Sequence, residues 1–139
     1  MSGPDRAALA LHWLALGRGD LRGAEALLDL ASAPAREAAA LAHQAAEKSL
    51  KGTLILAGVE PPRTHDLRRL QQFLPPDSHT RGFDLDELSA VLRAARYPGL
   101  FEPAIDHPTA QRLVATAAQV VAAILADLGA EGLEAPGPA

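Results

Sequence analysis

The chain is expected to be all-α, an antiparallel up-and-down bundle of about five helices, and three observations carry that expectation. Of its 139 residues, 30 are Ala and 23 are Leu, two of the strongest helix formers. Aromatic residues make up only 4%, and the β-branched residues that strands favour are sparse. Apolar residues also recur at helical spacing in five segments that Pro and Gly separate. The length suits one domain that buries its core without disulfides or a structural metal. Residues 1–130 are therefore read as a single domain and 131–139 as a flexible tail.

The first helix is expected from Asp5 to Ala31, with Leu9, Trp13, Leu16, Leu21, Ala24, Leu27 and Leu28 inward. Gly17 and Gly19 weaken or bend its middle, and Ala33-Pro34 ends it. The second runs from Ala35 to Ala57 along Leu41, Ala42, Ala46, Leu50 and Leu54, and Gly58 supplies its stop. Its small residues permit a close helix approach. Glu60-Pro61-Pro62-Arg63-Thr64 is extended, because neither proline fits a helix interior and each restrains the residue before it. A short third helix covers His65 to Leu74, with Leu67, Leu70, Phe73 and Leu74 inward, and Pro75-Pro76 stops it. A loop from Asp77 to Phe83 leads to Asp84 and Glu87, which resemble a capping box for a fourth helix. That helix presents Leu88, Val91, Leu92 and Ala95 before Tyr97-Pro98-Gly99 breaks it. Pro108 suits the first turn of a fifth helix, whose face of Leu113, Ala117, Val120, Val121, Ile124 and Leu128 ends at Gly129.

Composition also excludes chemistry. With no cysteine, the chain has no thiol nucleophile, disulfide framework, iron–sulfur cluster or Cys-ligated zinc. A formal charge of -4 argues against a protein that grips nucleic acid by overall positive field, leaving room only for a local basic patch. The start MSGPDRAALA lacks a signal-peptide pattern, and no run of about 18 apolar residues is uninterrupted. A cytoplasmic protein without a membrane partner is expected. Eleven of the 13 basic residues are Arg, a bias that suggests a GC-rich genome. The histidines lack ligand spacing with carboxylates, so no metal is expected, and no cofactor is implied.

Three polar clusters stand out. On the second helix His43, Glu47 and Lys51 are spaced i, i+4, i+8, beside Gln44 and Lys48. This is either a solvated face steadied by the Glu47–Lys51 pair, or a phosphate or carboxylate contact made by the only two lysines. The turn Pro61-Pro62-Arg63-Thr64-His65-Asp66-Leu67 brings polar side chains to a helix N-terminus. There Arg63 and His65 frame an anion, or Thr64 or Asp66 caps the helix while His65 bonds locally. Arg93-Ala94-Ala95-Arg96-Tyr97-Pro98-Gly99 puts a guanidinium and a phenol at the end of the fourth helix, where Arg also complements the helix dipole.

In order, these motifs are Trp13, Asp20-Leu21, Ala24 and Leu27-Leu28; then Gln44-Ala45-Ala46-Glu47-Lys48-Ser49-Leu50-Lys51; then Pro62-Arg63-Thr64-His65-Asp66-Leu67; then Ala95-Arg96-Tyr97-Pro98. The combination resembles the HEPN family, the higher-eukaryote and prokaryote nucleotide-binding domains, over about residues 5–128. The resemblance implies a helical bundle that forms a homodimer and partners a small nucleotidyltransferase, often in a toxin–antitoxin or stress module. Many members are metal-independent endoribonucleases with a late Arg-x(4–6)-His motif, in which imidazole moves a proton and guanidinium holds the phosphate.

This sequence departs from that motif. After Arg96 the next histidine is His107, with ten residues between them that include Pro98 and Pro103. Arg6 to His12 and Arg36 to His43 have suitable spacing but lie in the first two helices, where the family does not place the motif. The chain resembles instead the Arg-Tyr-Pro subgroup, which implies nucleotide or RNA binding, or a structural role beside a nucleotidyltransferase, rather than cleavage. By resemblance Arg96 holds a phosphate, Tyr97 stacks on a base or caps the pocket, His65 and Asp66 sit nearby at the start of the third helix, and Lys48 and Lys51 extend the positive edge. The alternatives are an endoribonuclease toxin and a ligand-free helical scaffold.

Overall fold

The opening helix, α1 (Gly3–Leu28), begins where Ser2 can cap it: the Ser2 hydroxyl accepts the Asp5 N–H at 3.1 Å and donates to the Asp5 carboxylate at 2.6 Å. The start thus lies two residues before the one read from sequence, and the end three residues before. The computed structural model describes residues 1–96 and 104–139, with side chains outside 93–103.

The inward line of α1 also differs from the expected one. Ala10, Leu14, Gly17 and Ala24 are buried, whereas Leu9 is 37% exposed and Trp13 is half-buried. Close contact with α2 (Ala35–Leu56) explains the offset. A Cβ on Gly17 would lie 2.9 Å from the Ala45 carbonyl oxygen and 2.4 Å from the Ser49 hydroxyl. One on Gly52 would lie 3.0 Å from the Ala10 carbonyl oxygen, and one on Gly23 would lie 3.3 Å from Leu41. Numbers that rise along α1 fall along α2, so the pair is antiparallel. The glycines do not interrupt α1; Gly17 and Gly23 let its backbone approach α2, whereas Gly19 faces Ala139.

Helix α2 is the axis of the bundle and contacts the other four helices. Small residues dominate its buried surface: Ala38, Ala39, Ala42, Ala45, Ala46, Ser49 and Gly52, interspersed with Leu50 and Leu54. Its end is the expected one. Gly58 has φ +80°, the Gly58 N–H bonds to the Ile55 carbonyl at 3.0 Å, and the Val59 N–H bonds to the Leu54 carbonyl at 2.9 Å, a Schellman motif.

Residues 59–66 contain no helix or strand, as the prolines require. Helix α3 (Leu67–Gln72) is shorter than expected, because Asp66 is its N-cap and accepts the Arg68 N–H at 3.0 Å. Leu67, Leu70 and Leu74 enter the core, but Phe73 lies past the last helical residue and is 46% exposed. The expected 77–83 loop contains a short 3-10 turn, His79–Gly82, which the Gln71 amide holds through the carbonyls of Thr80 (2.9 Å) and Phe83 (2.8 Å).

Helix α4 (Asp86–Arg96) buries Leu88, Val91 and Leu92, with Leu85 just before it; Ala95 and the Tyr97-Pro98-Gly99 break lie outside the described residues or side chains. Asp84 accepts the Asp86 N–H at 3.0 Å, but Glu87 does not complete a capping box and pairs instead with Arg112 of α5 at 2.8 Å. Helix α5 (His107–Ala130) is capped by Asp106, which accepts the Thr109 N–H at 2.8 Å, and has Pro108 in its first turn. All six apolar residues expected on its inner face are buried. Gly129 is within the helix rather than at its stop. The left-handed glycine is Gly132 at φ +78°, with the Leu133 N–H bonded to the Leu128 carbonyl at 3.1 Å.

Helix α5 is long and apolar enough by composition to cross a membrane, but the other helices cover its apolar stripe. Residues 131–139 run along α1, where the Arg18 guanidinium donates to the Pro136 carbonyl and the Ala139 N–H donates to the Ala15 carbonyl at 2.8 Å. Among the described residues there is no strand, as the all-α expectation requires.

Candidate functional site

Helical spacing puts His43, Glu47 and Lys51 in one row on α2, and the solvated-face reading fails there. The side chain of His43 is 0% exposed, that of Glu47 is 12% and that of Lys51 is 14%, because residues 59–66 and the start of α3 run past them. Glu47 is the hub. One carboxylate oxygen accepts from His65 Nδ1 at 2.7 Å and the other accepts from Lys51 Nζ at 3.3 Å. His43 Nδ1 lies 4.0 Å from the first of these oxygens, while its Nε2–H donates to the His65 carbonyl at 3.0 Å.

Helix α2 therefore holds His65 at two points, its main chain through His43 and its ring through Glu47. The His65 side chain remains 60% exposed, and with Nδ1 engaged inward its Nε2 is left toward solvent. His65 does not bond locally, as one sequence reading had it; its partner is 18 residues away.

Asp66 acts as a cap. It accepts the Arg68 N–H and the Ser89 hydroxyl, the latter at 3.1 Å, and Ser89 in turn accepts the Leu67 N–H at 3.0 Å, which ties the start of α3 to α4. Partial burial raises the Asp66 pKa, but the Ser89 hydroxyl, the Arg68 and Arg69 N–H groups and the Arg68 charge outweigh it. The net pKa lies below the ordinary 3.8.

The two lysines part company. Lys51 faces Glu47, whereas Lys48 is turned to α1 and paired with Asp20 at 2.7 Å. Arg63 is exposed at the mouth of a groove of about 520 Å³, where α1, the end of α2 and Pro61-Pro62 meet. Lys51, Arg6 and Trp13 also line it. Arg96 is the last residue of α4, but its side chain and the whole of Tyr97 lie outside the described residues. His107 is the first residue of α5. Lys51 is thus shared by two places, meeting His65 at Glu47 and Arg63 in the groove lining, with Asp66 next to His65 in sequence and Lys48 turned to α1.

Three participants escaped sequence reasoning: Glu47 as a hub, Arg6 and the groove face of Trp13. A signal for the first was present, since His43 sits among Ala42, Ala45 and Ala46, small residues suited to burial. Among the described residues no three His, Asp or Glu side chains are placed to hold a metal ion.

A family model for the HEPN domain matches residues 10–128, most of the chain. The chain belongs to the HEPN domain family. No curated protein and no solved structure matches it. The HEPN match covers the hub, Arg63 and His65, but not Arg6. Membership marks this HEPN domain as a nucleotide- or RNA-related module, and the helical bundle agrees with the family's all-α fold.

Proposed function

We propose that this HEPN domain binds nucleotide or RNA phosphate as a homodimer, and that it pairs with a small nucleotidyltransferase-like protein in a toxin–antitoxin or stress-type system. The observation that carries the binding reading is that Lys51 joins two cationic features, the Glu47 hub that also holds His65 and the groove that Arg63 lines. The imidazole is anchored, the ammonium is fixed, and the exposed Arg63 guanidinium has no hydrogen bond or ion pair among the described residues. A guanidinium fork is well matched to phosphate oxygens. Because the whole chain carries -4, phosphate contact is confined to this patch, and a second copy doubles it.

One observation favours a second reading, RNA cleavage. A carboxylate on Nδ1 of an exposed imidazole leaves Nε2 able to take a proton from a ribose hydroxyl. The missing late Arg-x(4–6)-His weighs against it. Incubation with transfer RNA, alongside Arg96→Ala and His65→Ala variants, separates the two. Intact RNA with saturable ATP or GTP binding supports the binding module; cleavage abolished in both variants overturns it in favour of a nuclease.

A further inference from the structure

The groove beside Arg63 carries more information than a phosphate patch does. Its volume of about 520 Å³ falls within the range of small-molecule sites. Trp13, the only tryptophan in the chain, forms part of its lining, as do Ile55 and Pro61-Pro62. Three cations, Arg6, Lys51 and Arg63, line it against a single carboxylate, Glu60, in a chain that is acidic overall. The Arg6 guanidinium lies over Gly58 at the α2 terminus, within 3.6 Å of where a Cβ would be, and makes no hydrogen bond or ion pair among the described residues. An apolar aromatic wall next to surplus positive charge suits a ligand with a flat ring at one end and an anion at the other.

We propose that this groove holds one nucleoside phosphate, with its base against Trp13 and its phosphate between Arg6 and Arg63. Lys51 is shared with the cluster around Glu47 and Arg63 is the exposed guanidinium of the phosphate-binding reading, so the inference rests on that reading and extends it to the base. Stacking on an aromatic side chain is tolerant of base identity, so purine and pyrimidine nucleotides both enter. Arg6 lies outside the residues matched by the HEPN model, which makes this cation a feature of this chain's groove rather than of the match.

Because Trp13 is the sole indole, its emission reports the groove directly. The full chain is titrated with ATP, with inorganic tripolyphosphate and with adenosine, following tryptophan fluorescence and, in parallel, calorimetric heat. ATP is expected to change Trp13 emission saturably and to bind at least tenfold more tightly than tripolyphosphate. Arg6→Glu is expected to raise the ATP dissociation constant at least tenfold, while Arg6→Lys restores most of the affinity. If ATP binds by calorimetry and Arg63→Ala weakens it, yet Trp13 emission and Arg6→Glu affinity are unchanged, the groove proposal is overturned and phosphate binding stands. Equal affinity for ATP and tripolyphosphate also overturns it. No heat with any ligand overturns both.

Discussion

Glu47 shows how one side chain organises a site it does not itself display. Its carboxylate is nearly covered, and both oxygens are committed, one to His65 and one to Lys51. Glu47→Ala would leave the Lys51 ammonium without its partner and release the His65 ring. Charge-assisted hydrogen bonds of this kind are worth about 1.5–3 kcal/mol, so a loss of that order is expected in urea unfolding, with Glu47→Gln recovering part of it. Ligand affinity is expected to fall in Glu47→Ala as well, because His65 is then held only through its carbonyl. At this scale the sequence was half legible. The i, i+4, i+8 row of His43, Glu47 and Lys51 follows from helix geometry, but its cover does not. That cover comes from residues 59–66, whose path across α2 is fixed by tertiary contacts such as the His43–His65 bond.

Helix existence was legible nearly everywhere, because Ala and Leu content, Pro breaks and glycine stops all act locally. Helix orientation was not. Reading α1 by its large residues puts Leu9, Trp13 and Leu16 inward, whereas packing against α2 selects the stripe of Ala10, Leu14, Gly17 and Ala24, in which only Leu14 is large. A close backbone approach rewards an absent side chain, and hydrophobicity alone cannot register that. Gly17→Ala is accordingly expected to cost about 1–3 kcal/mol, since its Cβ would meet the Ala45 carbonyl oxygen at 2.9 Å. Gly129→Ala makes the opposite control. It lies inside α5 with nothing within 4 Å of a new Cβ, and it is expected to stabilise by about 0.5–1 kcal/mol. Thermal melts of the two variants should therefore move in opposite directions from the parent.

For the molecule as a whole, pH acts from both sides. Asp66 and Asp106 have folded pKa values below 3.8, the latter through hydrogen bonds from the Thr109 hydroxyl and N–H. Their stabilisation is present above 3.8 and is lost as pH falls through those lowered values. The hydrogen bond to Asp127, 2.5 Å long, raises His79 above 6.5, so its contribution is full below 6.5 and is lost as pH rises through the raised value. Urea midpoints are expected to be highest between these limits, with His79→Gln flattening the alkaline side and Asp106→Asn reducing the acid loss. The fold class was fully legible at this scale and the cationic site only partly. Lys51, Arg63 and His65 belonged to recognisable motifs, but the separation of Lys48 toward Asp20 and the approach of Arg6 from α1 depend on the helix packing. The reading of this HEPN domain as a phosphate binder is tested most directly by calorimetric titration of ATP into the parent protein and Arg63→Ala at one fixed salt concentration. Saturable binding that weakens at least tenfold in Arg63→Ala is the expected result, and an absence of binding, or equal affinity in the two proteins, would contradict it.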